Sequence, residues 1–279
     1  MKLSISNIAW SAEYDKEIYS FLQKNGYQGL EIAPTRIFPN APYDHIPEAS
    51  EWAKVLKAKY QLAISSMQSI WYGHSEKMFS SNKERKTLVG YTKKAILFAE
   101  AIGCKNLVFG NPRNRDTKDV QADLPIAINF FKEIGDYAHE HHTAIALEPN
   151  PIIYNTNFMN FTQQAAEIAY KVNSEGIKVN VDLGTIIYNN EDLEYLKQIS
   201  GFINHIHISE PGLKLIKQRE NMHLQLLNFA KEYVHDAFVS IEMGKQEIKK
   251  VKQILKYIKE LITEPCNSPG PHISTLFRS

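Results

Sequence analysis

Short apolar runs alternate along the chain with longer stretches whose apolar positions recur every three or four residues. The short runs read as buried strands and the longer stretches as amphipathic helices. Leu3 to Ala9 is the first strand. Asp15 to Asn25 carries Ile18, Phe21 and Leu22 at helical spacing, and Gly26 stops it. Tyr27 to Ala33 is the second strand, followed by a loop with Pro34, Pro39, Pro42 and Pro47, the last opening a helix to Lys59. Gln61 to Gln68 is the third strand. A loop holding Trp71, Tyr72 and His74 leads to a helix capped by Ser81 or Asn82 and ending near Gly103. Asn106 to Gly110 is the fourth strand.

The same alternation then repeats. A helix over Leu124 to His142 precedes strand five, Thr143 to Glu148, and a helix over Thr162 to Asn173 precedes strand six, Lys178 to Asp182. After strand six, a helix around Glu191 to Ile199 leads to strand seven, Phe202 to Ile208. A helix over Arg219 to His235 precedes strand eight, Ala237 to Glu242, and Lys245 to Ile262 closes the series. Eight strand–helix units over about 260 residues point to a single-domain α/β fold, a (β/α)8 barrel over 1–262. No glycine-rich dinucleotide fingerprint follows strand one, which disfavours an open doubly wound sheet. Residues 263–279, with three prolines and no period, read as a C-terminal tail.

Composition narrows the picture. The chain has 279 residues, 43% of them hydrophobic, so it can bury a core without disulfides or a structural metal. A formal net charge of +1 argues against general attraction to nucleic acid or membranes. Cys104 and Cys266 lack CxxC spacing and suit a reducing compartment. With no apolar leader in Met1 to Trp10 and no run long enough to span a bilayer, a cytoplasmic location is expected.

Chemistry enters at the strand ends, where (β/α)8 enzymes place their active residues. Glu148 ends strand five, Asp182 ends strand six, His207 lies near the end of strand seven and Glu242 ends strand eight. A strand-terminal acid often caps the next helix, and a lone histidine is a weak metal signal. Four such residues on one rim form a set that suits a hard divalent cation, Mn²⁺ or Mg²⁺. Without an ion, three buried carboxylates in one pocket repel and are partly protonated.

The phrases ALEPNP, NVDLGT, HIHISEP and VSIEM, in this order at strand ends, resemble the xylose isomerase-like superfamily of sugar isomerases and epimerases. The Glu, Asp, His, Glu set is similar to that of ketose 3-epimerases. The resemblance implies that Glu148, Asp182, His207 and Glu242 bind one divalent metal, Mn²⁺ before Mg²⁺, Co²⁺ or Zn²⁺. It further implies that Glu148 and Glu242 are the acid–base pair. A metal on the substrate carbonyl stabilises the enediolate, and two glutamates on opposite faces allow removal and return of a proton. The expected substrate is a sugar or sugar phosphate. The alternatives are a dehydratase of a keto-cyclitol on the same site, an AP-type endonuclease and a sugar-binding barrel without catalysis. Similar barrels often form dimers or tetramers. Thr185 stands where ketose 3-epimerases carry a substrate-holding histidine.

Further residues on this rim have two readings each. Glu31 can bond a sugar hydroxyl or cap a helix. Gln68 and Asn111 can line the pocket, although a turn also explains Asn111. Trp71 can stack on sugar carbons or pack in its loop. Arg113 and Arg115 sit where phosphate or carboxylate is gripped, or belong to a solvated loop. His205, two residues deeper than His207, is expected to hydrogen-bond a ligand carboxylate, supporting the site from behind. Glu210 faces the site or caps its turn.

Overall fold

The computed structural model describes residues 1–263, and the expected tail beyond Thr263 lies outside the described residues. Eight parallel strands form the sheet: β1 Lys2–Ile5, β2 Gly29–Ile32, β3 Ala63–Met67, β4 Leu107–Phe109, β5 Ile145–Leu147, β6 Ile177–Asp182, β7 Ile203–Ile208 and β8 Phe238–Ile241. β2 to β8 each pair with their neighbours in sequence order, and β1 pairs with β8. A single bridge between Ser6 and Glu31 joins the β1 and β2 ends, closing the (β/α)8 barrel.

Among the described residues, eight α-helices surround it: α1 Asp15–Lys24, α2 Ile46–Tyr60, α3 Asn82–Ala101, α4 Val120–Glu140, α5 Thr162–Val172, α6 Leu183–Asn189, α7 Glu220–Tyr233 and α8 Ile248–Thr263. Their boundaries follow local chemistry. The Ser81 hydroxyl accepts the Glu84 N–H at 3.2 Å and opens α3. The Asp119 carboxylate accepts two amides and opens α4 five residues before the apolar period begins to show it. In α8 the buried face is Val251, Ile254, Leu255 and Ile258, the spacing of one helical stripe.

Two expectations need correction. Leu3 to Ala9 is not one strand: β1 ends at Ile5 and Asn7–Ala9 is a 3-10 turn, opened by the Ser6 hydroxyl. The region between β6 and β7 is also rearranged. A helix not expected there, α6, starts directly at Leu183, with the Asp182 carboxylate accepting the Thr185 N–H at 2.7 Å. The helix expected over Glu191 to Ile199 is only a 3-10 segment, Leu193–Lys197. The strand-terminal acid nucleates the helix immediately, leaving too little chain for a second full one.

Register places the site. β6 and β7 align Asn180 with His205 and Asp182 with His207, and β8 aligns Ser240 with His207. Alternation along each strand then turns Asn180, Asp182, His205, His207, Ser240 and Glu242 toward the barrel interior. All six are buried.

Candidate metal centre

The donor atoms of Glu148, Asp182, His207 and Glu242 all lie within 4.8 Å of one another. Two ligands of one small divalent ion, each at about 2.0–2.2 Å, stand at most about 4.4 Å apart. The four donor atoms are therefore grouped on the scale of a single ion's ligand shell. The set of three carboxylates and one imidazole is chemically right for a hard or borderline cation.

His207 is the hub. Its Nδ1 is 2.9 Å from Glu148 Oε1 and 3.3 Å from Glu242 Oε2, while its Nε2 is 2.9 Å from Glu31 Oε2. Burial alone would lower its pKa, but the carboxylates of Glu31, Glu242 and Glu148 outweigh that and hold the imidazole charged well above its ordinary range. Burial pushes Glu242 up to about 7, against the pull of His207 and with the help of Glu148. Burial and the charge of Glu148 also raise Asp182.

Each ligand is braced. Asp182 accepts from the Thr185 amide, and the Thr185 hydroxyl lies 2.8 Å from the same oxygen and 2.9 Å from the Pro149 carbonyl, able to serve one at a time. The Ser209 hydroxyl bonds the other Asp182 oxygen and accepts the Gly184 N–H at 2.8 Å. Thr185 therefore fixes the aspartate. Glu148 receives the amide of Asn180 at 2.7 Å and that of Asn150 at 3.2 Å. Beneath it runs Arg115, fully buried, donating to the Glu148 carbonyl at 3.0 Å and to Asn150 Oδ1 at 2.9 Å.

A cavity of about 730 Å³ opens over the cluster. Glu148, Asp182 and Glu242 form its floor, and Gln68, Trp71, Asn111, Arg113, Tyr154 and Leu213 are among its walls. The expected residues separate here. Asn111 and Arg113 reach the cavity on the loop after β4. Asn111 adopts a left-handed backbone, φ 41°, consistent with its turn role. Trp71 lines the cavity but is anchored as a core residue, its indole N–H donating to Thr92 Oγ1 at 2.8 Å and its ring set edge-on to Phe109. Glu31 and His205 are not in the cavity wall. Both lie beneath it, with His205 Nε2 2.8 Å from Glu31 Oε2. The expected partner of His205 was a ligand carboxylate, and the structure gives it Glu31 instead. Arg115 leaves its loop neighbour Arg113 and turns inward, so it is not a solvated loop residue. Glu210 is drawn away from the site by Arg219, which holds it at 2.7 and 3.0 Å.

Two residues of the site carried no legible signal. Asn180 sits one turn of the alternation before Asp182, and Gly110 approaches Glu148 so closely that a Cβ there would stand 2.6 Å from Oε2. A strand-internal asparagine was the only clue to the first.

A comparison with curated protein sequences finds no match. Solved structures do match. A 3-keto-D-glucoside 4-epimerase from E. coli aligns with a TM-score of 0.74 at 14% identity, over 95% of this chain and all (100%) of that one. A D-psicose 3-epimerase from Clostridium cellulolyticum H10, solved with D-tagatose, gives 0.73 at 13% identity, over 94% and 97%. A probable 3-DHS dehydratase from Bacillus anthracis gives 0.68 at 17% identity, over 95% and 99%. At such identities the likeness is one of fold. The family model described as the xylose isomerase-like TIM barrel matches residues 20–264, and the chain belongs to that family.

Proposed function

We propose that this protein is a divalent-metal-dependent isomerase or epimerase of a sugar or sugar phosphate. The observation that carries the reading is the convergence of Glu148, Asp182 and Glu242 on the floor of a cavity, with the buried His207 drawn into the same cluster. Glu148, Asp182, His207 and Glu242 would hold the ion, with Mn²⁺ favoured by the oxygen-rich set. When bound, the ion supplies Lewis-acid polarisation of the substrate carbonyl, which acidifies the neighbouring C–H.

The chain's own residues do the rest. Glu148 and Glu242 come from β5 and β8, on opposite sides of His207, so their carboxylates approach a bound sugar from different directions. One removes the proton from the carbon beside the carbonyl and the other returns one. Return to the same carbon inverts it, and return to the carbonyl carbon exchanges aldose and ketose. Asp182 is saturated by hydroxyl and amide donors and serves as a ligand. Gln68, Asn111 and Arg113 offer hydrogen bonds to sugar hydroxyls, and Arg113 offers a charge to a phosphate. Glu31 and His205 act through His207.

The test is a screen of ketoses, ketose phosphates and keto-cyclitols with Mn²⁺ in D₂O, read by deuterium incorporation. Incorporation beside the carbonyl with retained mass otherwise supports the proposal. Loss of water from a keto-cyclitol, without washed-in deuterium in any sugar, would replace it with a dehydratase.

A further inference from the structure

The carboxylate of Glu31 is the least explained feature of the barrel interior. It is fully buried on β2, at the bridge that closes the barrel, and among the described residues its ion-pair partners are the imidazoles of His205 and His207. One oxygen, Oε2, lies 2.8 Å from His205 Nε2 and 2.9 Å from His207 Nε2. The other, Oε1, accepts the Gln68 amide at 2.9 Å. Three donors converge on one carboxylate, so it stays ionised and acceptor-only.

An acceptor at Nε2 dictates which imidazole nitrogen carries the proton. His207 presents N–H at Nε2 to Glu31, so Nδ1 is the nitrogen that gives up its proton and offers a lone pair when an ion binds. Nδ1 is the nitrogen 2.9 Å from Glu148 and 3.3 Å from Glu242, on the side of the carboxylate cluster. His205 completes the arrangement. Its ring stands edge-on to that of His207, with centroids 5.2 Å apart, and it pins Glu31 from a second direction. His205 Nδ1 has no partner, so Glu31 is its only anchor among the described residues.

We propose that Glu31 is a positioning residue that commits His207 to binding the metal through Nδ1, with His205 holding Glu31 in place. This rests on the cluster being a metal centre. It adds a named nitrogen, a named tautomer and a residue outside the four ligands.

The experiment uses Zn²⁺ as a diamagnetic probe on the full chain. Calorimetry measures the affinity of wild type and Glu31→Gln, and ¹⁵N-histidine NMR of the Zn²⁺-loaded wild type assigns the ligating nitrogen of His207. The expected results are ligation at Nδ1 with a slowly exchanging Nε2–H, and an affinity loss of about 10–100-fold in Glu31→Gln. Ligation through Nε2 overturns the proposal, and so does an affinity in Glu31→Gln equal to that of wild type. Should Glu31→Gln fail to fold, the NMR assignment on wild type decides alone. A wild-type protein that takes up no Zn²⁺ removes the metal centre and this inference together. Binding unaffected by Glu31→Gln removes only the inference.

Discussion

Metal binding at this site should release protons, and the raised pKa values of His207 and Glu242 set how that release changes with pH. In the metal-free cluster His207 is held charged by Glu31, Glu242 and Glu148, and Glu242 titrates at about 7. A ligand must shed its proton to bind an ion. The protonated fraction of Glu242 falls from roughly nine-tenths at pH 6 to roughly one-tenth at pH 8. The Glu242 share of the protons released per ion should therefore fall from close to one at pH 6 to close to zero at pH 8, with His207 adding to it. The Glu242 contribution alone raises apparent affinity about tenfold over that range, or ~1.4 kcal/mol. His207 adds up to about tenfold more per pH unit while it stays charged. The total lies between about tenfold and roughly a thousandfold. The sign for stability is opposite. Both groups have raised pKa values in the folded state, so the metal-free protein is favoured below their ordinary pKa values and loses stability as pH rises through about 7 for Glu242. Calorimetry with Mn²⁺ in buffers of different ionisation enthalpy counts the protons directly. Release near zero at both pH values, or affinity flat from pH 6 to 8, would refute the reasoning.

Three other outcomes follow from the geometry. Gly110→Ala places a Cβ 2.6 Å from Glu148 Oε2, which can move aside, so kcat should fall about 10–100-fold while the melting temperature changes little; an unchanged kcat would mean that the Glu148 position is not critical. Arg115→Met orphans the Glu148 carbonyl and Asn150 Oδ1 and should cost about 3–5 kcal/mol in urea unfolding; a loss under about 1 kcal/mol would contradict the bracing role. His223 is buried against Tyr257 with its pKa lowered from 6.5 to about 4 by burial, so the folded state must exclude a proton that the unfolded chain accepts. Stability should decline by about 2 kcal/mol as pH falls from 6.5 toward 4, allowing for partial solvent access, and His223→Gln should flatten that part of the Tm–pH curve.

The barrel was legible because buried parallel strands are short apolar runs and the helices between them carry a clear stripe, as in α8. The three acids and one imidazole stood out in the sequence because each lies at or next to the C-terminal end of a strand, where an ionisable group needs a purpose. What the pattern could not show was long-range. Glu31 lies 174 residues from His205, and only barrel closure turns its carboxylate onto both histidines. Arg113 and Arg115 look equivalent in sequence, yet a single 3-10 turn at Pro112–Asn114 sends one to the cavity and buries the other. The α6 error has a local cause: Asp182 serves at once as strand end, candidate ligand and N-cap, and a pattern that assigns it one role leaves the helix unseen.

The central claim is that Glu148 and Glu242 move a proton on opposite sides of a metal-held sugar. It is tested most directly by following deuterium from D₂O into the substrate identified by the screen, with Mn²⁺ present, for wild type, Glu148→Gln and Glu242→Gln. The account predicts wash-in beside the carbonyl for wild type and no turnover to product in either variant. Product formed at the wild-type rate by both variants would contradict it.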